Sequence, residues 1–471
     1  FTPNPSLDAL NDFRTPPDAA PLGAAPVRAA RPLHPALVLV IAFLGVIAVG
    51  TLVLLLPLSR AEPGSAPFMT ALFTAWSAVC INGLGVVDTG TYWSGFGQAA
   101  ILCMIQLGGF GMMTSATLLI LWAGGAMRLR SRLLLQAETR SLSLGDVGSV
   151  ARVVFVVTAA VEALVALWLT LRFALGYGMP WGQAAWYGVF HAISGFCNAG
   201  FSLWPDSLSQ FVRDGWVLVP VMCAIVIGGL GFPVIHELWH YRGRREHHYS
   251  MHTGLTLWGS AALVRVGGAL VLAAEWDNAK TMAPLDVPHR LLAALFTSVA
   301  ARSVGFNAID TGAMTDDSFV VHYLLMFIGA GSAGTGGGVK VTTFFILLVA
   351  VWSEIRGNAD TEFRGRRITP AVLRQALTIL VLSAGVIVLG LLIVMPMTDE
   401  RYEKVLFEVV SAAGNVGLST GITASLPPAA QMVLLLLMFS GRVGVITLAV
   451  ALAARNHRPR IRYPEEKPLV G

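Results

Sequence analysis

The sequence predicts an all-α polytopic membrane protein: four covalently linked repeats of helix, short re-entrant helix and helix, with eight spanning and four re-entrant helices in all. Three observations predict it: the composition, the alternation of long with short apolar segments, and a glycine-bearing loop that recurs once per repeat. Of 471 residues, 55% are hydrophobic and only 13% charged, with a mean hydropathy of +0.68. A soluble surface needs about 25% charged residues, so this chain belongs in a bilayer. Residues 1–33, rich in Pro and Ala, read as a polar tail without a secretory signal, and 456–471 as a second tail. Cys80, Cys103, Cys197 and Cys223 lie in apolar segments without metal-ligand or CxxC spacing, and read as packing residues.

Eight runs reach the ~20 apolar residues needed to cross the hydrocarbon core. They are 36–57, 96–123, 150–175, 216–239, 254–274, 319–352, 371–396 and 429–453. Between successive pairs lie segments too short to cross: 66–80, 183–198, 287–302 and 401–414. Grouped in order they give repeats at 34–123, 149–241, 254–355 and 369–455. Twenty basic residues fall in the tails and the loops after the second, fourth and sixth runs, against six (Arg60, Arg213, Lys280, Arg290, Arg401, Lys404) on the opposite side. The positive-inside rule then places both termini in the cytoplasm and lets the short segments dip in from outside.

The loops after the short segments read CINGLGVVDT (80–89), CNAGFSL (197–203), RSVGFNAIDT (302–311) and GNVGLSTGIT (414–423). Gly83, Gly200, Gly305 and Gly417 align at spacings of 117, 105 and 112 residues, each followed by Leu or Phe. The first and third loops even share G-[LF]-x-x-[VI]-D-T-G. Irregular backbone at membrane depth survives only where protein or water covers it. A short helix ending there directs partly negative carbonyls inward, and glycine lets the following backbone present its own carbonyls. Four such ends around one axis make a pseudo-fourfold pore in which carbonyl oxygens replace the hydration shell of an alkali cation. The expected filter is Ile81, Asn82, Gly83; Asn198, Ala199, Gly200; Ser303, Val304, Gly305; and Asn415, Val416, Gly417, with potassium as the bound ion.

These loops, with IQLGGFGMMT (105–114), GTGGGVK (334–340) and SGRVG (440–444), resemble the Trk/Ktr/HKT superfamily of potassium transporters, most closely the membrane subunit of bacterial Ktr and Trk systems. The resemblance covers about residues 34–455. It implies potassium uptake across the bacterial inner membrane, and the first-loop glycine, Gly83, goes with potassium preference in that family. Asn82 and Asn415 depart from the threonine more usual there. The resemblance also implies a homodimer docked on a cytosolic ring of nucleotide-binding regulatory subunits, so that ATP/ADP or NAD would act only through that separate polypeptide. Sodium stays open as a stimulating ion. The basic segments 242–248 and 362–368 are candidate docking surfaces.

The sixth run is interrupted by GAGSAGTGGGVK (329–340), too rich in glycine for a helix interior. It reads as a mobile intramembrane loop below the filter, involving Gly334, Gly336, Gly337, Gly338 and Lys340. Arg442 sits thirteen residues from the cationic end of its span, roughly 20 Å at 1.5 Å per residue, too deep to snorkel. A cation there faces the pathway as a barrier, and the resemblance gives the loop and the arginine this gating role. Arg302 and Glu408 are expected to pair and brace the filter from behind, His191 to be packed and neutral, and Arg265 to need a partner. GTGGGVK lacks the phosphate-loop spacing, and its lysine is followed by Val341. With no catalytic constellation, the chain reads as a transporter rather than an enzyme, without a nucleic-acid partner. Alternative readings are a secondary cation symporter with a midplane site, or a sodium-permeable member of the same superfamily.

Overall fold

The computed structural model describes residues 35–125, 147–241, 249–358 and 360–444. The expected tails and the basic segment 242–248 lie outside them. The segment read from the sequence as the first repeat comprises α1 (Pro35–Leu54), α2 (Phe68–Cys80), the single turn α3 (Thr89–Tyr92) and α4 (Gly95–Gly125). The second comprises α5 (Val147–Tyr177), α6 (Trp181–Phe196), α7 (Gly215–Leu230) and α8 (Phe232–His240). The third comprises α9 (Met251–Glu275), α10 (Val287–Ala300), α11 (Asp316–Phe327) and α12 (Val341–Ile355). A small antiparallel hairpin, β1 (Glu362–Phe363) and β2 (Arg366–Arg367), leads into α13 (Pro370–Val394), α14 (Tyr402–Gly414) and α15 (Pro428–Val443).

The helix starts follow from local chemistry. Asp214 accepts from the Trp216 amide at 2.9 Å, Ser250 from that of Thr253 at 3.2 Å, and Thr315 from that of Ser318 at 3.3 Å, satisfying amides the helix leaves open. Helices α10, α13 and α15 instead carry Pro in the first turn, where no amide is required.

Among the described residues, α5, α9 and α13 are long and apolar enough to cross a membrane. The pair α7–α8, bent by 98°, makes a fourth if counted as one span. The run 216–239, expected to be one helix, is therefore broken. Gly231 adopts φ +90, and Pro233 follows as a natural restart. A side chain at Gly231 would strike the Ser332 carbonyl, so the break is where the glycine-rich segment 329–340 packs in. The run 319–352 is broken too, as its glycine content foretells: α11 stops at Phe327 and α12 begins at Val341.

The elements close into a circle. In each repeat a helix after the short one touches the next repeat's short helix: α4 meets α6, α7 meets α10, α11 meets α14, and α15 returns to α2. Burial follows this order. The short helices bury Phe73, Phe190, Phe296 and Phe407, while α13 exposes Leu377, Val381, Val388, Leu389 and Leu392 outward. Apolar residues on an outer face belong against lipid. The loops that follow the C-terminal ends of α2, α6, α10 and α14 abut one another in the same order.

Candidate functional site: a ring of four glycine loops

Each short helix hands over to its loop through a tight turn. Ile81 and Asn415 close α2 and α14 in the left-handed conformation at φ 54 and 50, and Asn198 follows α6 at φ 60. Two residues after each of these comes the glycine, and in the third loop Gly305 holds the same place. Gly83, Gly200, Gly305 and Gly417 have φ of 95, 69, 78 and 91, a region that other residues avoid.

The four glycines are neighbours in cyclic order. A Cβ on Gly83 would lie 2.5 Å from the Ala199 carbonyl oxygen. One on Gly200 would land on the Val304 oxygen, one on Gly305 would sit 2.7 Å from the Val416 oxygen, and one on Gly417 would land on the Asn82 oxygen. Each loop therefore nests its bare Cα against the carbonyl of the next repeat, and the fourth nests against the first.

The polar side chains of the ring turn away from its centre. Asn82, Asn198, Ser303 and Asn415 are all buried. Asn82 Nδ2 donates to the carbonyls of Ser411 and Ala412 at 3.3 and 3.4 Å and to Asn415 Oδ1 at 3.3 Å. Asn415 Nδ2 donates to the Met438 carbonyl at 2.8 Å, and Asn198 pairs with the Ser303 hydroxyl at 3.2 Å. These side chains act as struts between the loops and their neighbours. Above the ring, all four glycines line a vestibule of about 580 Å³, which Asp88, Asp206 and Asp310 also line. Carboxylates there favour cations over anions.

On the opposite side lies the segment 329–340. Gly336 and Gly337 press so closely beneath the ring that side chains there would meet Ser303 Cβ at 2.8 Å and Asn415 Cβ at 2.5 Å. Gly334 lies against the Gly228 and Gly229 carbonyls, and Gly338, at φ +70, against that of Gly414. Thr335 Oγ1 donates to the Phe196 carbonyl at 3.2 Å, and its amide to that of Gly228 at 3.1 Å. Lys340 Nζ donates to the Gly336 carbonyl at 2.6 Å. Arg442, only 1% exposed, donates from Nη1 to the Thr335 carbonyl and from Nη2 to that of Gly108 at 3.1 Å. Among the described residues its hydrogen-bond partners are carbonyls rather than carboxylates, so its charge is solvated by the backbone and not neutralised.

The family described as TrkH, cation transport protein, matches residues 33–460 of this chain. The chain belongs to the TrkH family. The TrkH-family chain is 37% identical over 437 residues to the Ktr system potassium uptake protein B of Bacillus subtilis, covering 93% of this chain and 97% of that protein. It is 33% identical to the protein of the same name from Vibrio alginolyticus, covering 92% and 94%. To the potassium/sodium uptake protein NtpJ of Enterococcus hirae it is 31% identical, covering 94% and 99%. In fold it matches the crystal structure of the potassium transporter TrkH from Vibrio parahaemolyticus, with a TM-score of 0.67 at 19% identity, covering 88% and 84%. The family is one of transporters, not enzymes.

Several residues of this TrkH-family chain lie elsewhere than the sequence suggests. Arg302 and Glu408 do not pair. Arg302 donates to Ser260 and to the Gly329 carbonyl, whereas Glu408 accepts from Ser419, Thr420 and Thr423. Arg302 follows α10 and Glu408 lies within α14, so each reaches into its own repeat's surroundings. Glu162 on α5 accepts from Gln106 Nε2 of α4 at 3.1 Å. Arg265 is exposed on the outer face of α9.

Ser77 and Ser411, which sequence reasoning passed over, accept from the amides of Gly83 and Gly417 at 3.1 and 3.0 Å. Ser194 donates to the Phe201 carbonyl at 2.8 Å. All three stand six residues before their glycine, while the third loop has Val299. That fixed offset is the signal that could have found them.

Proposed function

We propose that this chain is the ion-translocating subunit of a bacterial potassium uptake system. It acts as a channel-like pore whose filter is the carbonyl ring of residues 81–83, 198–200, 303–305 and 415–417. The observation that carries the proposal is the cyclic nesting of the four glycines, which brings the Asn82, Ala199, Val304 and Val416 carbonyls to one place. Carbonyls so arranged substitute for the water around a dehydrating alkali ion. The chain then consists of four repeats with eight membrane passages, some of them broken, and lies in the inner membrane with both termini in the cytoplasm.

In this proposal the segment 329–340 is the gate. Its Thr335 carbonyl holds Arg442 beneath the ring, and release of that contact clears the path. The names of the Ktr relatives support potassium as the ion and a place in a multi-subunit system. The gate would answer to a cytosolic nucleotide-binding ring docked under a homodimer, with the basic segment 362–368 contributing to the docking face.

Rubidium uptake into proteoliposomes containing the purified chain tests this reading. Downhill, weakly saturating flux that Gly305→Ser makes less selective is the expected result. Flux strictly coupled to a second solute would overturn it in favour of a symporter. The NtpJ relative, named for both ions, favours a second reading in which sodium also permeates or stimulates; reversal potentials in mixed salts separate the two.

A further inference from the structure

Nine residues before the ring glycine, the four short helices carry Thr74, His191, Phe296 and Glu408. His191 and Glu408 stand in diagonally opposite repeats, and both are fully buried. Glu408 Oε1 accepts from the Ser419 hydroxyl at 2.7 Å and from the Thr420 amide at 2.9 Å, the second and third residues after Gly417. His191 meets the same two positions after Gly200. Its Nε2 lies 3.1 Å from the Ser202 hydroxyl and 3.4 Å from the Leu203 amide nitrogen, while the other acceptor open to the Ser202 hydroxyl, the Ser207 carbonyl, is at 3.5 Å.

The tautomer follows from the second ring nitrogen. His191 Nδ1 is 2.8 Å from the Tyr187 carbonyl, which can only accept, so Nδ1 carries the proton and Nε2 is an acceptor. The next amide completes the match: Trp204 donates to Ser202 Oγ at 3.0 Å, and Gly421 to Ser419 Oγ at 2.9 Å. Two unrelated side chains thus supply the same acceptor to the same backbone bracket. The other two repeats lack it. Among the described residues the buried Thr74 hydroxyl has no hydrogen-bond partner, and Phe296 has no polar atom to offer.

We propose that His191 and Glu408 are positioning residues for ion selectivity: they clamp the outer rims of the second and fourth loops and so fix the spacing of one diagonal pair of carbonyls. This rests on the filter reading above. The ring is then fourfold in its carbonyls but twofold in its support. A clamp that holds oxygens apart prevents them from collapsing onto a smaller ion. Loosening one clamp admits sodium without closing the pore.

The test is rubidium uptake by proteoliposomes containing the full chain, with sodium as competitor. His191→Phe keeps the packing against Trp204 and Phe306 while removing the acceptor. His191→Phe and Glu408→Ala should each lower rubidium-over-sodium discrimination by roughly tenfold, the scale of one lost buried hydrogen bond. Ser419→Ala should move it the same way by less, and Glu408→Gln, which keeps one acceptor oxygen, should recover part of the loss. Thr74→Val, at the same register but without the bracket, should leave discrimination unchanged. If Glu408→Ala does not fold, His191→Phe and Ser419→Ala decide the matter. Bracket variants that alter melting temperature or maximal uptake while discrimination stays intact overturn the proposal, as does an equal loss in Thr74→Val. Gly305→Ser separates the two readings: a change there alone sinks the clamp and spares the filter, whereas no change there sinks both.

Discussion

Asn82 Nδ2 lies 3.3 Å from Asn415 Oδ1, joining the first and last glycine loops across 333 residues of sequence. The same amide reaches two carbonyls at the end of α14, so one side chain fastens the seam where the circle closes. Asn82→Leu removes these bonds and strands the Leu84 amide, which donates to Asn82 Oδ1 at 3.2 Å, at a cost of about 1–3 kcal/mol. The variant should melt earlier in detergent and discriminate rubidium from sodium less well. A variant equal to the parent in both measurements would show that the seam is held by other means.

Gly417 combines φ +91 with a Cβ direction blocked by the Asn82 oxygen. Gly421, at φ +93, has open space in the same direction. Either alanine variant carries backbone strain of about 1–3 kcal/mol, but only Gly417→Ala must also push the ring apart. Gly417→Ala should abolish selective uptake, and Gly421→Ala should retain it at reduced thermal stability. Uptake assays beside melting curves distinguish the two.

Arg442 is held by the backbone of segment 329–340 and of α4, with its charge unneutralised. Arg442→Ala should raise basal rubidium flux in proteoliposomes and weaken any response to a regulatory partner, and Arg442→Lys should fall between. A fall in basal flux in Arg442→Ala would contradict the barrier role.

Glu275 provides a contrast outside the ring. Fully buried at the end of α9, it accepts from Thr281 at 2.5 Å, Asn278 at 2.7 Å and the Thr315 amide at 2.8 Å, pinning the loops before α10 and α11. Glu275→Ala strands these donors and should cost at least ~1–3 kcal/mol. Melting temperature should fall while rubidium-over-sodium discrimination holds. Lost discrimination without lost stability would place Glu275 in the transport machinery instead.

The short helices were legible nearly to the residue: 66–80 against Phe68–Cys80, and 401–414 against Tyr402–Gly414. Their apolar runs are bounded by Pro or charge at one end and by the glycine loop at the other. The break at Gly231 was hidden because GGLGFPV stays apolar throughout, so hydropathy runs straight across it. Its cause is long-range, the Ser332 backbone packed against Gly231. The partners of Arg302 and Glu408 were illegible for a related reason. Charge alone suggests that they seek each other, whereas Ser260 and the Gly329 carbonyl already hold Arg302, and Ser419, Thr420 and Thr423, in the loop just after its own helix, already hold Glu408. His191 was read as packed and neutral, and its equivalence to Glu408 emerges only when both are counted from their glycines.

The head-to-tail nesting of Gly83, Gly200, Gly305 and Gly417 also bears on biosynthesis. A ribosome delivers the quarters one after another, and the last seat stays vacant until Gly417 swings against Asn82. A chain cut short after three quarters lacks both contacts that Gly417 makes, with Gly305 on one side and Asn82 on the other. On the pore reading proposed above, no conduit exists until the last quarter of the polypeptide has been made.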